Sequence, residues 1–235
     1  IVKALVMGGS GTIGKAIVNR LLSDGFEVIV HYNNTNIETL QSDYIGKPVE
    51  FLQCDLNQDI DLESYFACIS NLDCLVYASG TALYGQLQDV SDKEIDDCYQ
   101  IHVRQLIRIC RVFTDQLRQS SHGRIVVISS IWGETGASME TVYSAMKGAQ
   151  IAFVKALSQE LAMTSVTVNA IAPGFVSGNM TRVWSAEELQ AITEELPQQR
   201  LIDPIEIAHT CSYLCHPMAR SITGTIQKVN GGWYV

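Results

Sequence analysis

A chain of 235 residues, 47% hydrophobic and 17% charged, is long enough to close one large core, and no low-complexity tract, charge block, linker or repeat offers a place to divide it. Its net charge of −9 argues against a nucleic-acid partner. Apolar runs are far too short to span a bilayer, no signal-peptide pattern opens the chain, and the seven cysteines are scattered rather than paired; the expectation is a cytoplasmic protein, off the membrane, with reduced core thiols.

The elements follow in chain order. "VKALVM" (2–7) reads as a strand and leads through "GGSGTIG" (8–14) into a helix from about Thr12 to Ser23. "EVIVHY" (27–32), "VEFLQC" (49–54) and "LDCLVYAS" (72–79) are further strands, followed by "RIVVISS" (124–130), "VTVNAIA" (166–172) and "IQKVN" (226–230). Continuously apolar strands alternating with helices predict an α/β fold: a single doubly wound Rossmann-type domain over 1–235, with a mostly parallel seven-stranded sheet. Such sheets bind ligands beyond the carboxyl ends of their strands, so function is sought just after each one.

After the first strand, Gly9, Gly11 and Gly14 fit G-x-G-x-x-G, in which glycine permits a tight turn and lets backbone N–H groups and a helix N-terminus approach a pyrophosphate. The alternative is a glycine-rich turn with no ligand. In "TVYSAMKG" (141–148), Tyr143 and Lys147 stand four apart, on one helix face. A phenol titrates near pH ~10 unless a positive charge favours its phenolate, and Lys147 supplies one; a tyrosine packed beside a surface lysine is the bland alternative. Ser130, at a strand end thirteen residues earlier, can converge with Tyr143 on one substrate oxygen. "HTCSYLCH" contains His209, Cys211, Cys215 and His216, but only the two cysteines share a helix face, so no metal is expected.

Taken together, "GGSGTIG", "CDL" with Asp55, the series Ser130, Tyr143 and Lys147, "VNAIAPGFV" with Asn169, Pro173 and Gly174, and "ITGTIQKVNGGW" resemble the short-chain dehydrogenase/reductase family over essentially the whole chain. The tail "RLIDPIEIA" followed by "SITGTIQKVNGG" is most similar to the 3-oxoacyl-(acyl-carrier-protein) reductase branch. The resemblance implies reduction of a 3-oxoacyl thioester with hydride from a nicotinamide, in fatty acid biosynthesis. Tyr143 would be the general acid, Ser130 would bind the carbonyl, and Lys147 would hold the nicotinamide ribose and favour the phenolate. The cofactor would lie along Gly8, Ser10, Gly11, Thr12, Ile13 and Gly14, then Tyr32, Asn33 and Asn34, Asp55 and Leu56, Ala78, Ser79 and Gly80, Tyr143 and Lys147, and Pro173, Gly174 and Val176. Residues 177–196 would form a lid, with Trp132, Glu134, Met139 and Trp184 as pocket or core aromatics and their neighbours. A homo-oligomer, dimer or tetramer, is implied, with Arg104, Arg108 and Arg111 on an interface helix rather than on a carrier-protein docking patch.

Several residues depart from the family pattern. Met7 replaces a threonine, Thr12 stands at the second family glycine, "YASG" (77–80) replaces Asn-Asn-Ala-Gly, and Gly178 falls where a threonine commonly meets the nicotinamide. His102 aligns with the family's catalytic asparagine, which holds a water chain feeding protons to tyrosine through lysine; an imidazole titrating near neutrality can do similar work, or can simply fill space. "HYNNTN" (31–36) has no acid before Glu38 to repel a 2′-phosphate, so NADPH is the expected cofactor with NADH still usable. Other readings stay open: a reductase or dehydrogenase of another small ketone or alcohol, or a low-turnover cofactor-binding regulator.

Overall fold

The computed structural model describes residues 2–235, apart from the side chain of Val183; Ile1 lies outside the described residues. Seven strands, β1 (Lys3–Met7), β2 (Glu27–Tyr32), β3 (Val49–Gln53), β4 (Cys74–Tyr77), β5 (Arg124–Ile128), β6 (Thr167–Pro173) and β7 (Ile226–Val229), form one sheet in the order β3-β2-β1-β4-β5-β6-β7. Every pairing is parallel. β4, β5 and β6 are buried along their whole length, which is why they read as unbroken apolar runs: both faces are covered.

Helices α1 (Thr12–Ser23) and α9 (Pro204–Cys215) cover one face over a core that includes Ile17, Leu21, Val76 and Leu214. The other face carries α5 (Gln105–Gln119) and α7 (Thr141–Glu160), with Phe66, Phe113, Leu117 and Val154 between them and the sheet. Each large apolar side chain so buried contributes about 1.5–3 kcal/mol. The shorter helices are α2 (Ile37–Asp43), α3 (Leu62–Tyr65), α4 (Asp92–Tyr99), α6 (Trp132–Thr135) and α8 (Ala186–Glu195). Asn36 caps α2, while Ser91, Ser185 and Asp203 close capping boxes at α4, α8 and α9.

Between α4 and α5 the helix widens into a π turn, Gln100–Arg104. Such turns interrupt a helix to re-aim groups that a regular helix would bury in its own hydrogen bonds.

The chain order reverses beside β1: β2 and β3 build to one side of it, and β4 begins the other. Register then aligns the strand ends, with Met7 opposite Tyr77 and Tyr77 opposite Val127. Gly8, Ala78 and the serines after β5 therefore leave the sheet on one rim, at the crevice where doubly wound sheets bind ligands. β4 and β5 stop short of the sequence reading, at Tyr77 and Ile128, because residues 78–80 and 129–130 turn out toward that rim.

Cys211 and Cys215 point into the core, whereas His209 faces Arg20 at the surface and the His216 ring accepts from Met218 N–H. These four residues do not converge, and no cluster with metal-binding geometry occurs among the described residues. No helix of the described residues is long and apolar enough to cross a membrane.

Candidate active site

The glycine turn is built by close approach. Gly8 has φ +74, and a Cβ there would lie 2.8 Å from the Ala78 and Ser79 backbone; a Cβ on Gly14 would lie 2.0 Å from the Gly8 carbonyl oxygen. The turn rests on a histidine that sequence reasoning missed. Gly8 N–H donates to His31 Nδ1 at 2.9 Å, and His31 Nε2 lies 2.9 Å from the Cys54 carbonyl. With Nδ1 accepting, Nε2 must carry the hydrogen, so the ring is neutral; burial pushes it down to about 4. The available signal was a lone polar residue near the end of an otherwise apolar strand.

Thr35 donates its hydroxyl to Ser10 Oγ at 2.9 Å, tying the loop after β2 to the turn, and Asn33 reaches toward Asp55 at 3.4 Å. Asn34 is exposed. The residues present fit a dinucleotide. Gly11 caps α1 with no side chain, leaving the first-turn amides of Thr12, Ile13 and Gly14 to an anion. Beside them Ser79 Oγ is buried without a partner among the described residues. Three of the expected cofactor residues have packed side chains. Leu56 packs in the core with its carbonyl on Gln105, Tyr32 is nearly buried at the end of β2, and Val176 packs on the α1–α9 core while bridging to Ile202. Pro173 and Gly174 end β6, with Gly174 N–H bonded to the Val229 carbonyl at 2.9 Å.

On the other side of the crevice, α7 presents Tyr143 and Lys147 one turn apart. Ser130 faces Tyr143, and its Oγ accepts from the N–H of Trp132 at 3.1 Å. Lys147 is buried; its Nζ donates to the Ile128 carbonyl at 2.9 Å and to Gln150 Oε1 at 3.3 Å, and lies 5.6 Å from the Tyr143 ring centre. Burial lowers the Lys147 ammonium to about 7. Tyr143 moves the other way: burial raises it above the ordinary phenol value, the Glu140 charge adds to this, and the Ser130 bond opposes it. Burial thus favours the protonated phenol, the form that donates a proton.

A family model described as enoyl-(acyl carrier protein) reductase matches residues 8–234. The chain belongs to the short-chain dehydrogenase/reductase family. It is 39% identical over 237 residues to the uncharacterized oxidoreductase YmfI of Bacillus subtilis, with 98% of each chain covered. To the 3-oxoacyl-(acyl-carrier-protein) reductase FabG of Escherichia coli it is 32% identical, covering 99% of this chain and 97% of that protein. A crystal structure of a variant actinorhodin polyketide ketoreductase with NADPH superposes with a TM-score of 0.90 at 30% identity, covering 99% of this chain and 97% of that one. The protein is an oxidoreductase of this family.

Two departures from the family pattern are one event in space. Thr12 Oγ1 accepts from Asn179 N–H at 3.2 Å, and a Cβ on Gly178 would lie 2.4 Å from the Thr12 methyl. The side chain gained in the glycine turn thus occupies the volume given up at 178. It also ties the start of the 177–196 segment, here a 3-10 turn (Asn179–Val183) followed by α8, to the N-terminus of α1.

His102 is wholly buried in the π turn. Its Nε2 lies 3.1 Å from Thr81 N and 2.9 Å from Thr81 O, Nδ1 has no partner among the described residues, and the ring meets Tyr143 edge-on at 5.5 Å. Burial first, and the Lys147 charge second, push it down to about 3. That shift favours the neutral ring.

Tyr77 also leaves the site, its ring buried and its hydroxyl on the Ile101 carbonyl. Around the crevice mouth Trp132 packs on Trp233 and Tyr234, Trp184 on Tyr84, and Glu134 pairs with Lys228 at 3.7 Å. The Met139 carbonyl accepts from Gly85 N–H. Arg104 and Arg108 are both engaged by Asp59 at 3.2 Å, so these two are bound within the chain.

Proposed function

We propose that the protein reduces a 3-oxoacyl thioester, presented on an acyl carrier protein, to the 3-hydroxy form with NADPH. The observation that supports the reading is Ser130 facing Tyr143 beside a buried Lys147, across the crevice from a glycine turn whose helix start has no side-chain cap. The dinucleotide supplies the hydride. Ser130 donates a hydrogen bond to the carbonyl oxygen and Tyr143 gives that oxygen its proton as the carbonyl carbon is reduced. The Lys147 ammonium stabilises the negative charge left on Tyr143, and its remaining N–H would hold the nicotinamide ribose. Solvent then returns a proton to Tyr143.

NADPH over NADH follows from the acid-free loop Asn33–Thr35, whose side chains are neutral hydrogen-bonding groups. Neutral bonds to phosphate are roughly half as strong as charge-assisted ones, so the preference is modest. The reading extends to a homo-oligomer, dimer or tetramer, which sedimentation tests.

The matched family description supports a second reading, reduction of a 2-enoyl thioester. One experiment separates them: oxidation of NADPH and NADH followed with 3-oxoacyl thioesters, 2-enoyl thioesters and simple ketones. Highest kcat/KM for a 3-oxoacyl thioester with NADPH is expected. Higher values for the enoyl substrates or for simple ketones overturn the assignment, and dinucleotide binding with no turnover would make the chain a cofactor-binding regulator.

A further inference from the structure

Gln150 is a polar side chain that the reduction chemistry leaves without a task, yet it is only 1% exposed. It stands three residues after Lys147, on the same face of α7. Both ends of its amide are engaged: Oε1 accepts from Lys147 Nζ at 3.3 Å, and Nε2 donates to the main-chain carbonyl of His102 at 2.8 Å. That carbonyl belongs to the π turn, which directs it at α7.

We propose that Gln150 is a positioning residue for Lys147, its amide tying the lysine to the π turn and holding Nζ at the edge of Tyr143. The ammonium has three donors. Ile128 O and Gln150 Oε1 take two of them, which leaves one for the Tyr143 and ribose side. An amide keeps its protons near neutral pH, so this link fixes geometry and charge and does not pass protons. A Gln150 Oε1 bond favours the charged form of the lysine, opposing the burial that lowers it. The other titratable groups facing Lys147 are Tyr143 on its own helix, Cys98 on α4 and His102 in the π turn, with Glu140 acting on Tyr143. Among these, Gln150 is the neutral group whose replacement changes the lysine's hydrogen bonding directly.

The inference rests on the reductase reading only in that Lys147 serves Tyr143, and its first readout needs no substrate. Lysine-selective NMR titration, with the Lys147 signal assigned by Lys147→Arg, follows the ammonium in the whole protein. Gln150→Met keeps the bulk and removes both hydrogen bonds; Gln150→Glu keeps an acceptor and adds charge. The expected result is a lower Lys147 midpoint in Gln150→Met and a higher one in Gln150→Glu. With the best carbonyl substrate, Gln150→Met should lower kcat about tenfold with KM changed less than about threefold, the pattern of an interaction that matters in the transition state. Its high-pH loss of reduction should move to lower pH. A Lys147 midpoint unmoved in a folded Gln150→Met overturns the proposal and leaves Gln150 a helix clamp; so does a fall in kcat with an unshifted pH profile. If Gln150→Met does not fold, Gln150→Glu decides by the same readout, an unmoved midpoint again overturning it. Failure of the thioester assignment appears separately, as wild-type protein that turns over no 3-oxoacyl thioester while Lys147 still responds to residue 150.

Discussion

The two sides of the crevice solve opposite problems with the same kind of residue. Each is anchored by a buried neutral histidine: His31 under the glycine turn, His102 beside Tyr143. On the dinucleotide side both ring nitrogens of His31 are occupied by backbone, and the loop beyond it is half exposed and uncharged. On the catalytic side His102 leaves Nδ1 without a partner among the described residues, and Lys147 sits close enough to depress it further. One side is a turn braced by backbone bonds beside a half-exposed loop. The other holds a buried lysine whose hydrogen bonds oppose the burial that lowers it.

The contrast breaks most severely at Tyr143. Tyr143→Phe should lower kcat about a hundredfold or more, the scale of lost general acid catalysis, while dinucleotide affinity, read by fluorescence titration, stays within a few-fold. Near-normal turnover on the best carbonyl substrate would remove Tyr143 from the chemistry.

Acid tests the buried histidine under the glycine turn. His31 is neutral when folded, with its folded value near 4 against 6.5 for the free ring. The unfolded chain therefore binds more protons between those values, and stability should be full above about pH 6.5 and decline as pH falls toward about 4. His31→Asn should remove up to about 3 kcal/mol of that decline, measured by denaturant unfolding across the same range. Parallel curves for the two proteins would show that His31 titrates normally.

His102 sharpens the comparison from the catalytic side. His102→Ala should lower kcat roughly tenfold with dinucleotide affinity little changed, and His102→Asn should keep much of the activity. Because the ring is neutral, wild-type kcat should show no histidine limb between about pH 6 and 9. Full activity of His102→Ala over that range would make the residue a filler.

The smallest effect is the joint between the two sides. Gly178→Thr should weaken dinucleotide binding through its clash with Thr12, and adding Thr12→Gly should restore much of the loss, with a coupling of about 1 kcal/mol in a double-mutant cycle. Additive effects would separate the two positions.

What the sequence determined by itself is what short-range periodicity encodes. Unbroken apolar strands between helical stretches specified a parallel sheet covered on both faces, all seven strands were placed within a few residues, and the turn at Gly8 to Gly14 and the Ser130, Tyr143, Lys147 series were legible because each is set by spacing along one or two elements. What the tertiary structure decided lies across long separations: His31 to Gly8 at 23 residues, Gln150 to His102 at 48, Asn179 to Thr12 at 167. No local pattern marks such partners, since they are chosen by sheet order and register. The charge states belong to the same class. Lys147, His102 and Tyr143 depart from their ordinary values chiefly because packing removes water from around them, and desolvation is a property of the assembled core rather than of any segment of the chain.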